Sequence, residues 1–288
     1  MTTPIDRRKF VKSLGLATGA MAIGLPRASG ALAEESKDLD HIGIQLYTVR
    51  ADMEKDFEGT LKNIAGIGYD QVEFAGYFGH SPKDIRALLD RLHLDAPSSH
   101  IGQPSALTQN WQKTLDDAKV VGHKYVVVAW VDPKDRTKLD DYRRFADLFN
   151  AAGETARKSD LRLAYHNHDF EFVPLDGQLP YDVLLERTDP KLVGMEMDLF
   201  WITKGGKDPL DYFKRFPGRF EAVHVKDMAR TADQEMTDVG QGKINFADIF
   251  AQEKKAGIKY FFVENDNPKP SGLASARVSY DYLKRLRF

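Results

Sequence analysis

Cysteine is absent from the 288-residue chain, which excludes disulfide bonds and thiolate metal sites. We also expect no stable membrane anchor, because the apolar stretch at residues 14–25 is too short and too rich in glycine and alanine to span a bilayer. No G-x-G-x-x-G sequence follows the first predicted strand, which counts against a dinucleotide-binding fold. Any metal site formed by side chains must therefore use histidine nitrogens or oxygen ligands such as carboxylates.

Residues 1–33 are predicted to form an export signal. Arg7 and Arg8 are followed by Lys-Phe-Val-Lys, by the apolar stretch and by Ala31-Leu32-Ala33, the A-x-A pattern that a signal peptidase cleaves. The twin arginine resembles a Tat-type signal, and Tat substrates cross the membrane already folded, often with a cofactor bound. The alternative is an ordinary apolar N-terminal helix. We expect a periplasmic protein whose folded domain spans residues 34–288.

The charge of residues 34–288 bears on their partners. The leader holds five of the 41 basic residues and one of the 43 acidic residues, so 36 basic and 42 acidic side chains remain, a net charge of −6. An acidic protein of this size is a poor candidate for binding a phosphate backbone, so no nucleic acid partner is expected. The sequence does not decide between a monomer and a homo-oligomer.

Short apolar runs alternate with longer amphipathic segments throughout residues 34–288. Eight runs are predicted to be strands, at residues 42–47, 71–75, 96–101, 124–131, 162–167, 192–199, 222–226 and 260–264. The segments between them carry helix signals, such as the N-cap Ser81 before Pro82 and the stop at Gly68. Strict alternation predicts a parallel sheet covered by helices, and eight repeats of this length predict one α/β domain, a closed (β/α)8 TIM barrel.

Ionisable side chains recur at the ends of the predicted strands. They are Glu73, His100, the pair His166 and His168, Asp198, His224 and Glu264. In a (β/α)8 barrel the carboxyl ends of all strands meet at one face, where active sites lie. Each residue also has an ordinary interpretation: a strand-end histidine can bond to backbone, and Asp198 can cap the next helix. Several buried carboxylates at such positions are costly unless they are paired or bound to a metal, so a divalent metal site is the better interpretation of the whole set.

Six separated motifs resemble the sugar phosphate isomerase/epimerase family, whose members have the xylose isomerase-like barrel. The motifs are "GIQLYTVR", "IGYDQVEFAG", "AYHNHDFEF", "MEMDLFW", "HVKD" and "VENDNP", and they run from about residue 42 to the C-terminus. The resemblance implies one divalent ion, with Mn²⁺ expected and Zn²⁺, Mg²⁺ or Co²⁺ as alternatives. It also implies that Asp198, His224 and Glu264 are metal ligands.

The first ligand departs from the family pattern. Where relatives carry a glutamate at the end of the fifth strand, this chain has "YHNH", so either His166 or His168 is predicted to replace that carboxylate, and the spacing to Asp198 favours His166. His168 projects to the same side of the strand and is left to move protons, with Glu171 just beyond it. Glu196 lies two residues before Asp198 and is predicted to support the ligands from one layer deeper.

The resemblance implies proton removal next to a carbonyl of a sugar or keto-sugar, with a metal-stabilised enediolate as the intermediate. Isomerisation or epimerisation is the first expectation, and elimination from 3-keto-glycosides is the alternative outcome. Candidate bases are Glu264, His168 and Glu171. Lys226 is expected either to steady the oxyanion or to pair with Asp227 or Glu196. Predicted substrate contacts are Glu73, His100, Trp201 and Tyr47.

Two other functions are compatible with the same barrel. A DNA-repair endonuclease needs three zinc ions, many histidines and a basic groove, and the negative charge and Trp201 at a ligand position argue against it. A non-catalytic periplasmic sugar-binding barrel would not need the intact metal ligands. The only candidate phosphate loop is the segment at residues 238–244, and glycines in a loop are weak evidence for a phosphate site. An unphosphorylated substrate is therefore favoured, since sugar phosphates are mostly cytoplasmic and this protein is expected in the periplasm.

Overall fold

The computed structural model describes residues 37–288, which form one closed barrel. Eight parallel strands close in the order β1-β10-β7-β6-β5-β4-β3-β2. Their bounds are β1 Gly43–Gln45, β2 Gln71–Phe74, β3 Asp95–His100, β4 Tyr125–Val128, β5 Arg162–His166, β6 Val193–Asp198, β7 Phe220–Val225 and β10 Tyr260–Val263. The predicted fold class is therefore confirmed. The predicted export signal lies outside the described residues.

Helices cover the outside of the barrel between successive strands. They are α1 Arg50–Met53, α2 Phe57–Ile67, α3 Pro82–Leu92, α4 Trp111–Val121, α5 Leu139–Lys158, α6 Pro180–Arg187, α7 Leu199–Lys204, α8 Pro209–Arg215, α9 Phe246–Phe250, α10 Glu253–Ala256 and α11 Gly272–Leu283. Ser81 caps α3 by accepting a hydrogen bond from the Asp84 amide, as its sequence position predicted. None of the described helices is long and apolar enough to cross a membrane.

Four short 3-10 turns follow the barrel strands β1, β3, β4 and β5, and a small antiparallel ribbon follows β7. The turns are Leu46–Val49, Pro104–Leu107, Pro133–Asp135 and Phe170–Phe172, and the ribbon pairs β8 Asp227–Met228 with β9 Met236–Thr237. The predicted first strand is shorter than expected, because Leu46 already belongs to a 3-10 turn. The last strand is followed by α11, which packs back over β10 and the first turn.

The barrel interior changes character along its axis. At one end Tyr125, Val127 and Ala164 form a small apolar cluster with Tyr260 against it. Further along the same strands, toward their carboxyl ends, buried imidazoles and carboxylates replace the apolar residues. The main hydrophobic core lies between the outer faces of the strands and the helices. The polar interior therefore lies at the carboxyl face of the barrel, where the fold places functional sites.

Candidate metal and substrate site

Four side chains from the last four barrel strands meet at the carboxyl face. His166, Asp198, His224 and Glu264 each offer a ligand atom, and these atoms lie within 4.8 Å of one another. We call this set the outer group. Strand register brings the members together, because Asp198 pairs with His224 across β6 and β7, and Glu264 directly follows β10. All four side chains are buried. Two imidazoles and two carboxylates are ligands that a divalent transition metal accepts.

His166 and His224 also belong to a second set of potential ligands, which lies deeper in the barrel. His100, His166, Glu196 and His224 also offer ligand atoms within 4.8 Å of one another, and we call them the inner group. His166 Nδ1 lies 3.1 Å from Glu196 Oε2, while its Nε2 lies 3.8 Å from Asp198 Oδ2. His224 likewise contacts Glu264 Oε2 through Nδ1 at 2.7 Å and Glu196 Oε2 through Nε2 at 3.2 Å. Each of these two imidazoles therefore has one nitrogen toward the outer group and one toward Glu196, an arrangement in which a carboxylate fixes the orientation of a metal-binding histidine.

Asp198 uses its two carboxylate oxygens differently. Oδ1 accepts a hydrogen bond from the Trp201 amide at 2.8 Å and so caps α7, the ordinary role that its position allowed. Oδ2 is buried and accepts no hydrogen bond from residues 37–288, although Lys226 Nζ lies 3.1 Å away. A buried carboxylate oxygen without a hydrogen bond is costly, and a bound cation would compensate that cost. The outer group therefore fits a divalent metal ion.

Lys226 lies beside the outer group with its ammonium almost completely buried. Its Nζ is 2.7 Å from Glu264 Oε2, 3.1 Å from Asp198 Oδ2 and 3.1 Å from Asp266 Oδ1. The expected pairing with Asp227 or Glu196 is therefore wrong. Lys226 precedes Asp227 on the chain, but its side chain points into the barrel mouth, while the Asp227 carboxylate turns toward a loop. Burial by itself would lower the pKa of Lys226, but Asp198, Glu264 and Asp266 outweigh burial and raise that pKa well above its ordinary value.

The carboxylates of the outer group differ in their affinity for protons. Burial raises the pKa of Asp198 to about 6, although Lys226 and His224 act in the opposite direction. Burial would also raise the pKa of Glu264, but Lys226 and His224 outweigh it and hold that pKa well below its ordinary value. Glu264 is therefore ionised at neutral pH. Its Oε2 takes both contacts, and its Oε1 accepts no hydrogen bond from any described residue.

The two histidines of the "YHNH" motif lie in different environments. Burial, together with the neighbouring His224, lowers the pKa of His166 to about 3, so His166 is neutral and able to bind a metal. His168 belongs to neither metal-binding set. It lines the cavity above the outer group, its ring stacks on Phe170 with centroids 5.3 Å apart, and its Nδ1 has no partner among the described residues.

The structure gives Glu171 a different role from the predicted catalytic base. Its carboxylate is fully buried, accepts a hydrogen bond from the Tyr165 hydroxyl and takes another from the His168 amide at 2.9 Å. It does not line the cavity. The prediction failed because the chain turns into a short 3-10 helix after His168, which directs Glu171 back toward β5. Glu171 therefore holds the backbone on which His168 is mounted.

The structure places two predicted substrate contacts, Glu73 and Trp201, outside the lining of the main cavity. Glu73 is fully buried below the outer group, where it accepts hydrogen bonds from the Ser98 hydroxyl and from Gln45 and lies 2.6 Å from His224 Nε2. These partners occupy its oxygens, so it forms part of the floor instead of contacting substrate. Trp201 faces a neighbouring crevice next to Lys204, with Lys226 Nζ 5.7 Å from its ring. Its ring centroid lies 5.4 Å from that of His168, which lines the main cavity, so Trp201 lies behind the cavity wall.

A cavity of about 810 Å³ opens above the outer group. His100, His166, His168, Lys226 and Glu264 line one side of it, and Tyr47 and Trp130 lie at its edge. Tyr47 is 42 % exposed, so its ring is available to a ligand. His100 stacks on His224 with ring centroids 5.2 Å apart and contacts Glu196 Oε2 at 2.7 Å. The predicted contacts Tyr47 and His100 therefore both lie where a substrate could reach them.

The candidate phosphate loop is occupied by a side chain of the protein. The Asp227 carboxylate accepts hydrogen bonds from the backbone amides of Met228, Gly240, Gly242 and Ile244, at 2.8 to 3.2 Å. A Cβ atom at Gly242 would collide with Asp227 Oδ1 and with the Met228 carbonyl, so the glycine allows the loop to close on this carboxylate. The amides that could hold a phosphate are therefore not available.

Sequence reasoning missed two residues of the site. Asp266 lines the cavity and pairs with Lys226, and its position two residues after Glu264 was a signal, because residues two apart in an extended chain face the same way. Gln45, at the end of β1, donates a hydrogen bond to Glu73 and thereby contributes to the floor. Nothing in the sequence distinguished this glutamine from an ordinary strand residue.

Comparisons with known proteins agree with this fold. A relative, inosose dehydratase from Lacticaseibacillus casei, is 25 % identical over 268 residues, which cover 80 % of this chain and 89 % of the relative. The crystal structure of a sugar phosphate isomerase/epimerase from Parabacteroides distasonis ATCC 8503 superposes with a TM-score of 0.76 at 25 % identity, covering 89 % of this chain and 97 % of that one. The structure of the IOLI protein with a bound zinc atom has a TM-score of 0.66 at 15 % identity, covers 84 % of this chain and 95 % of that one, and is alike in fold alone.

The profile of one protein family matches most of the chain. It covers residues 61–286, from the second turn of α2 to the segment after α11, and therefore seven of the eight barrel strands. The match agrees with the closed barrel and with the relatives named inosose dehydratase and sugar phosphate isomerase/epimerase. The chain belongs to the xylose isomerase-like TIM barrel family.

Proposed function

We propose that this protein is a divalent-metal-dependent enzyme that removes a proton next to the carbonyl of a sugar or keto-sugar and then eliminates a substituent β to that carbonyl. The observation that carries the proposal is the outer group, four buried ligand atoms within 4.8 Å beneath an open cavity. The name of the relative inosose dehydratase supports it, because a dehydratase eliminates water from its substrate.

The outer group would hold the metal through His166, Asp198, His224 and Glu264. Its donor set of two imidazoles and two carboxylates favours Mn²⁺ or Zn²⁺ over Mg²⁺, which prefers oxygen ligands and retained waters. When bound, a divalent ion withdraws electron density from a carbonyl and makes the neighbouring C–H bond more acidic. Glu196 orients both histidines from below, and Glu73 also contacts His224.

Three side chains around the cavity are candidates for the proton transfers and for stabilising the developing negative charge. Glu264 is ionised and has Oε1 free, so it is the candidate base for the proton next to the carbonyl. Lys226 keeps its positive charge and steadies the negative charge that develops on the carbonyl oxygen. The neutral imidazole of His168 faces the cavity and is the candidate to exchange a proton with the leaving oxygen.

Elimination balances without any oxidant or second substrate. The C–H bond next to the carbonyl breaks and its proton passes to the base. The electron pair forms a carbon–carbon double bond as the β C–O bond breaks, and the leaving oxygen departs as water or an alcohol after taking up a proton. A neutral histidine at the first ligand position favours this outcome over two-base epimerisation, because it removes one of the two carboxylates that could serve as bases on opposite faces.

Isomerisation or epimerisation is the second candidate outcome. It is supported by the crystal structure of the sugar phosphate isomerase/epimerase that superposes on most of this chain. The two outcomes share the first proton removal and differ in the product. The occupied glycine loop supports an unphosphorylated substrate in either case.

The deciding experiment follows proton exchange and product formation by NMR in D₂O. Metal-loaded protein is incubated with ketoses, an inosose and 3-keto-glucosides, and the same protein stripped with EDTA is the control. We expect metal-dependent deuterium incorporation next to the carbonyl and an unsaturated product. No exchange with any of these substrates would contradict the proposal and favour a sugar-binding barrel, and exchange with an epimeric product would replace elimination with epimerisation.

We also propose that the protein is exported in folded form to the periplasm. The twin arginine at positions 7 and 8 and the A-x-A pattern at 31–33 support this. Replacement of both arginines by lysine is expected to leave the precursor in the cytoplasm, whereas Lys12→Arg is the matched control and should not. Fractionation followed by N-terminal sequencing checks both the compartment and the cleavage position. An unprocessed wild-type protein in the cytoplasm would contradict the proposal.

A further inference from the structure

The cavity above the outer group extends beyond the barrel mouth into a side chamber. Its walls there come from the loop after β2, from β3 and β4, from the 3-10 turn Pro104–Leu107 and from α4. The residues that line this chamber are Tyr77, Ser99, Ala106, Thr114, Asp117, Ala118 and Val126. Ser99 is next to His100, and successive residues of a strand face opposite sides, so Ser99 lies on the outer side of the wall whose inner side carries His100. The chamber is therefore separated from the outer group by β3.

A single sugar ring could not fill both parts of this space. The cavity volume of about 810 Å³ lies in the upper part of the range of roughly 300–1,000 Å³ that encloses drug-sized ligands. A ring whose carbonyl reaches the outer group occupies the barrel mouth, between His100 and Lys226. The side chamber would then stay empty, on the far side of the β3 end.

The lining of the side chamber differs from that of the barrel mouth. Ala106, Ala118 and Val126 are small and apolar, and the Tyr77 ring adds a flat apolar face. The hydroxyls of Ser99 and Thr114 make only long hydrogen bonds to backbone carbonyls, at 3.4 Å each. Asp117 of α4, which pairs with Lys113, adds a carboxylate to this lining. Apolar walls with a few polar groups suit a ring that has an apolar face and a polar edge.

The entrance to the side chamber is open. Gly76 and Gly102 lie at its rim, and a Cβ atom at either position would meet no atom within 4 Å. Small side chains from the 3-10 turn, α4 and β4 face the same space, so the chamber is built from separate elements. The chamber and the barrel mouth belong to one cavity, which continues past the carboxyl end of β3 and is also lined by Ala129 and Trp130.

We infer that the substrate carries a second ring-sized group joined to the reacting sugar, and that the side chamber binds this group. This inference rests on the proposed function and narrows its substrate class to glycosides whose second group is an aryl, cycloalkyl or sugar ring. In the elimination step that group departs as the alcohol. Binding in the side chamber holds it beside the breaking C–O bond.

The test compares methyl and cyclohexyl 3-keto-glucosides, whose leaving groups are both alcohols. Wild-type protein is expected to turn over the cyclohexyl compound with a kcat/KM about tenfold or more above that of the methyl compound, because burying a ring removes apolar surface from water. Thr114→Phe and Ala106→Phe fill the chamber from two different elements. Each should reduce that ratio to about one while changing kcat/KM for the methyl compound less than about twofold.

Thr114→Val is the matched control, because it keeps the volume of the side chain and should keep the ratio. Phenyl and disaccharide 3-keto-glucosides are the arms that distinguish an aromatic ring from a second sugar. A ratio near one in the wild type, or a ratio unaffected by both phenylalanine variants, would overturn the inference.

Calorimetric binding of unreactive methyl and cyclohexyl glucosides keeps the inference testable if turnover fails. Proton exchange from the methyl compound together with equal binding of both glucosides would contradict the role of the side chamber and leave the proposed chemistry intact. Preferential binding of the cyclohexyl compound without exchange from any substrate would contradict the proposed chemistry and leave the role of the side chamber intact. If a phenylalanine variant loses thermal stability, the variant on the other element decides.

Discussion

At the residue scale, the assignment of the first metal ligand is the sharpest question. His166 has one nitrogen toward Asp198 and the other toward Glu196, whereas His168 stacks on Phe170 outside both metal-binding sets. Substitution of each histidine is therefore expected to have a different effect, although the two are separated by only one residue in the sequence.

His166→Gln is expected to weaken metal binding by more than the roughly 10- to 100-fold that loss of a supporting residue costs. His168→Gln should keep metal affinity within about threefold and keep proton exchange next to the carbonyl, but form much less of the elimination product, because His168 is assigned to the leaving oxygen and not to the metal or to the first proton removal. Titration calorimetry with Mn²⁺ and metal analysis after dialysis measure the first effect. His80→Gln, at an exposed histidine, is the control. Equal metal loss in both variants would contradict the assignment.

Glu171 predicts a pH dependence of stability. Burial raises its pKa from 4.5 to about 7, so the folded protein binds this proton more tightly than the unfolded chain does. The stabilising contribution is fully present below pH 4.5 and is lost as the pH rises through 7. Glu171→Gln, which cannot ionise, should remove a decline on the order of 2–3 kcal/mol between pH 5 and pH 8.

Urea unfolding of wild type and Glu171→Gln at several pH values checks this prediction. Glu186→Gln, at an exposed glutamate, should leave the pH profile of the wild type unchanged. Parallel profiles for wild type and Glu171→Gln would mean that Glu171 is ionised in the folded protein at pH 5.

At the element scale, Asp227 joins the β8–β9 ribbon to the glycine loop that follows it. Four backbone amides donate to its carboxylate, and hydrogen bonds to a charged acceptor are worth more than neutral ones. The sequence pattern of glycines in this loop suggested a phosphate nest. The structure shows the same backbone geometry satisfied from within the chain.

Asp227→Ala is expected to lower the free energy of unfolding by about 3 kcal/mol, since it leaves buried amides without an acceptor. Asp208→Ala, which removes an exposed N-cap of α8, should cost only about 1 kcal/mol. Chemical denaturation measures both. A cost for Asp227→Ala no greater than that for Asp208→Ala would show that the loop does not depend on this carboxylate.

At the scale of the whole molecule, the barrel concentrates buried charge at one end. Glu73, Glu196, Asp198 and Glu264 are balanced by Lys226 and by imidazoles whose charge depends on those same carboxylates. Burying such a group of charges costs free energy, and the packing of the helices and the apolar core must offset this cost. A ligand that binds only the folded barrel should therefore stabilise the entire domain.

Addition of Mn²⁺ at about 100 times its Kd is expected to stabilise the protein by about 2.7 kcal/mol, and EDTA should reverse this. Differential scanning fluorimetry across a Mn²⁺ series measures the rise in Tm. Asp198→Asn is the control, because loss of a ligand should abolish the dependence of Tm on metal. A rise in Tm of the same size in Asp198→Asn would place the stabilising metal elsewhere.

Much of this architecture could be predicted from the sequence because its signals are local. Ser81 and Pro82 start a helix, Gly68 ends one, and the alternation of apolar runs with amphipathic segments leads to a parallel barrel. The carboxyl ends of parallel strands must share one face, so Asp198, His224 and Glu264 were expected to meet although they are far apart in the chain.

The sequence by itself determined the fold class, the strands and the face on which the ionisable residues gather, since these follow from periodicity and from the direction of the strands. Only the tertiary structure decided how deep each side chain lies and which partner it meets across the barrel. Glu73 lies beneath the outer group against His224, and Glu171 accepts a hydrogen bond from Tyr165. Lys226 pairs with Asp266, and Asp227 accepts hydrogen bonds from the amides of the glycine loop. Those outcomes depend on the register of eight strands and on the course of the loops, and both arise from contacts between residues that are distant in the chain.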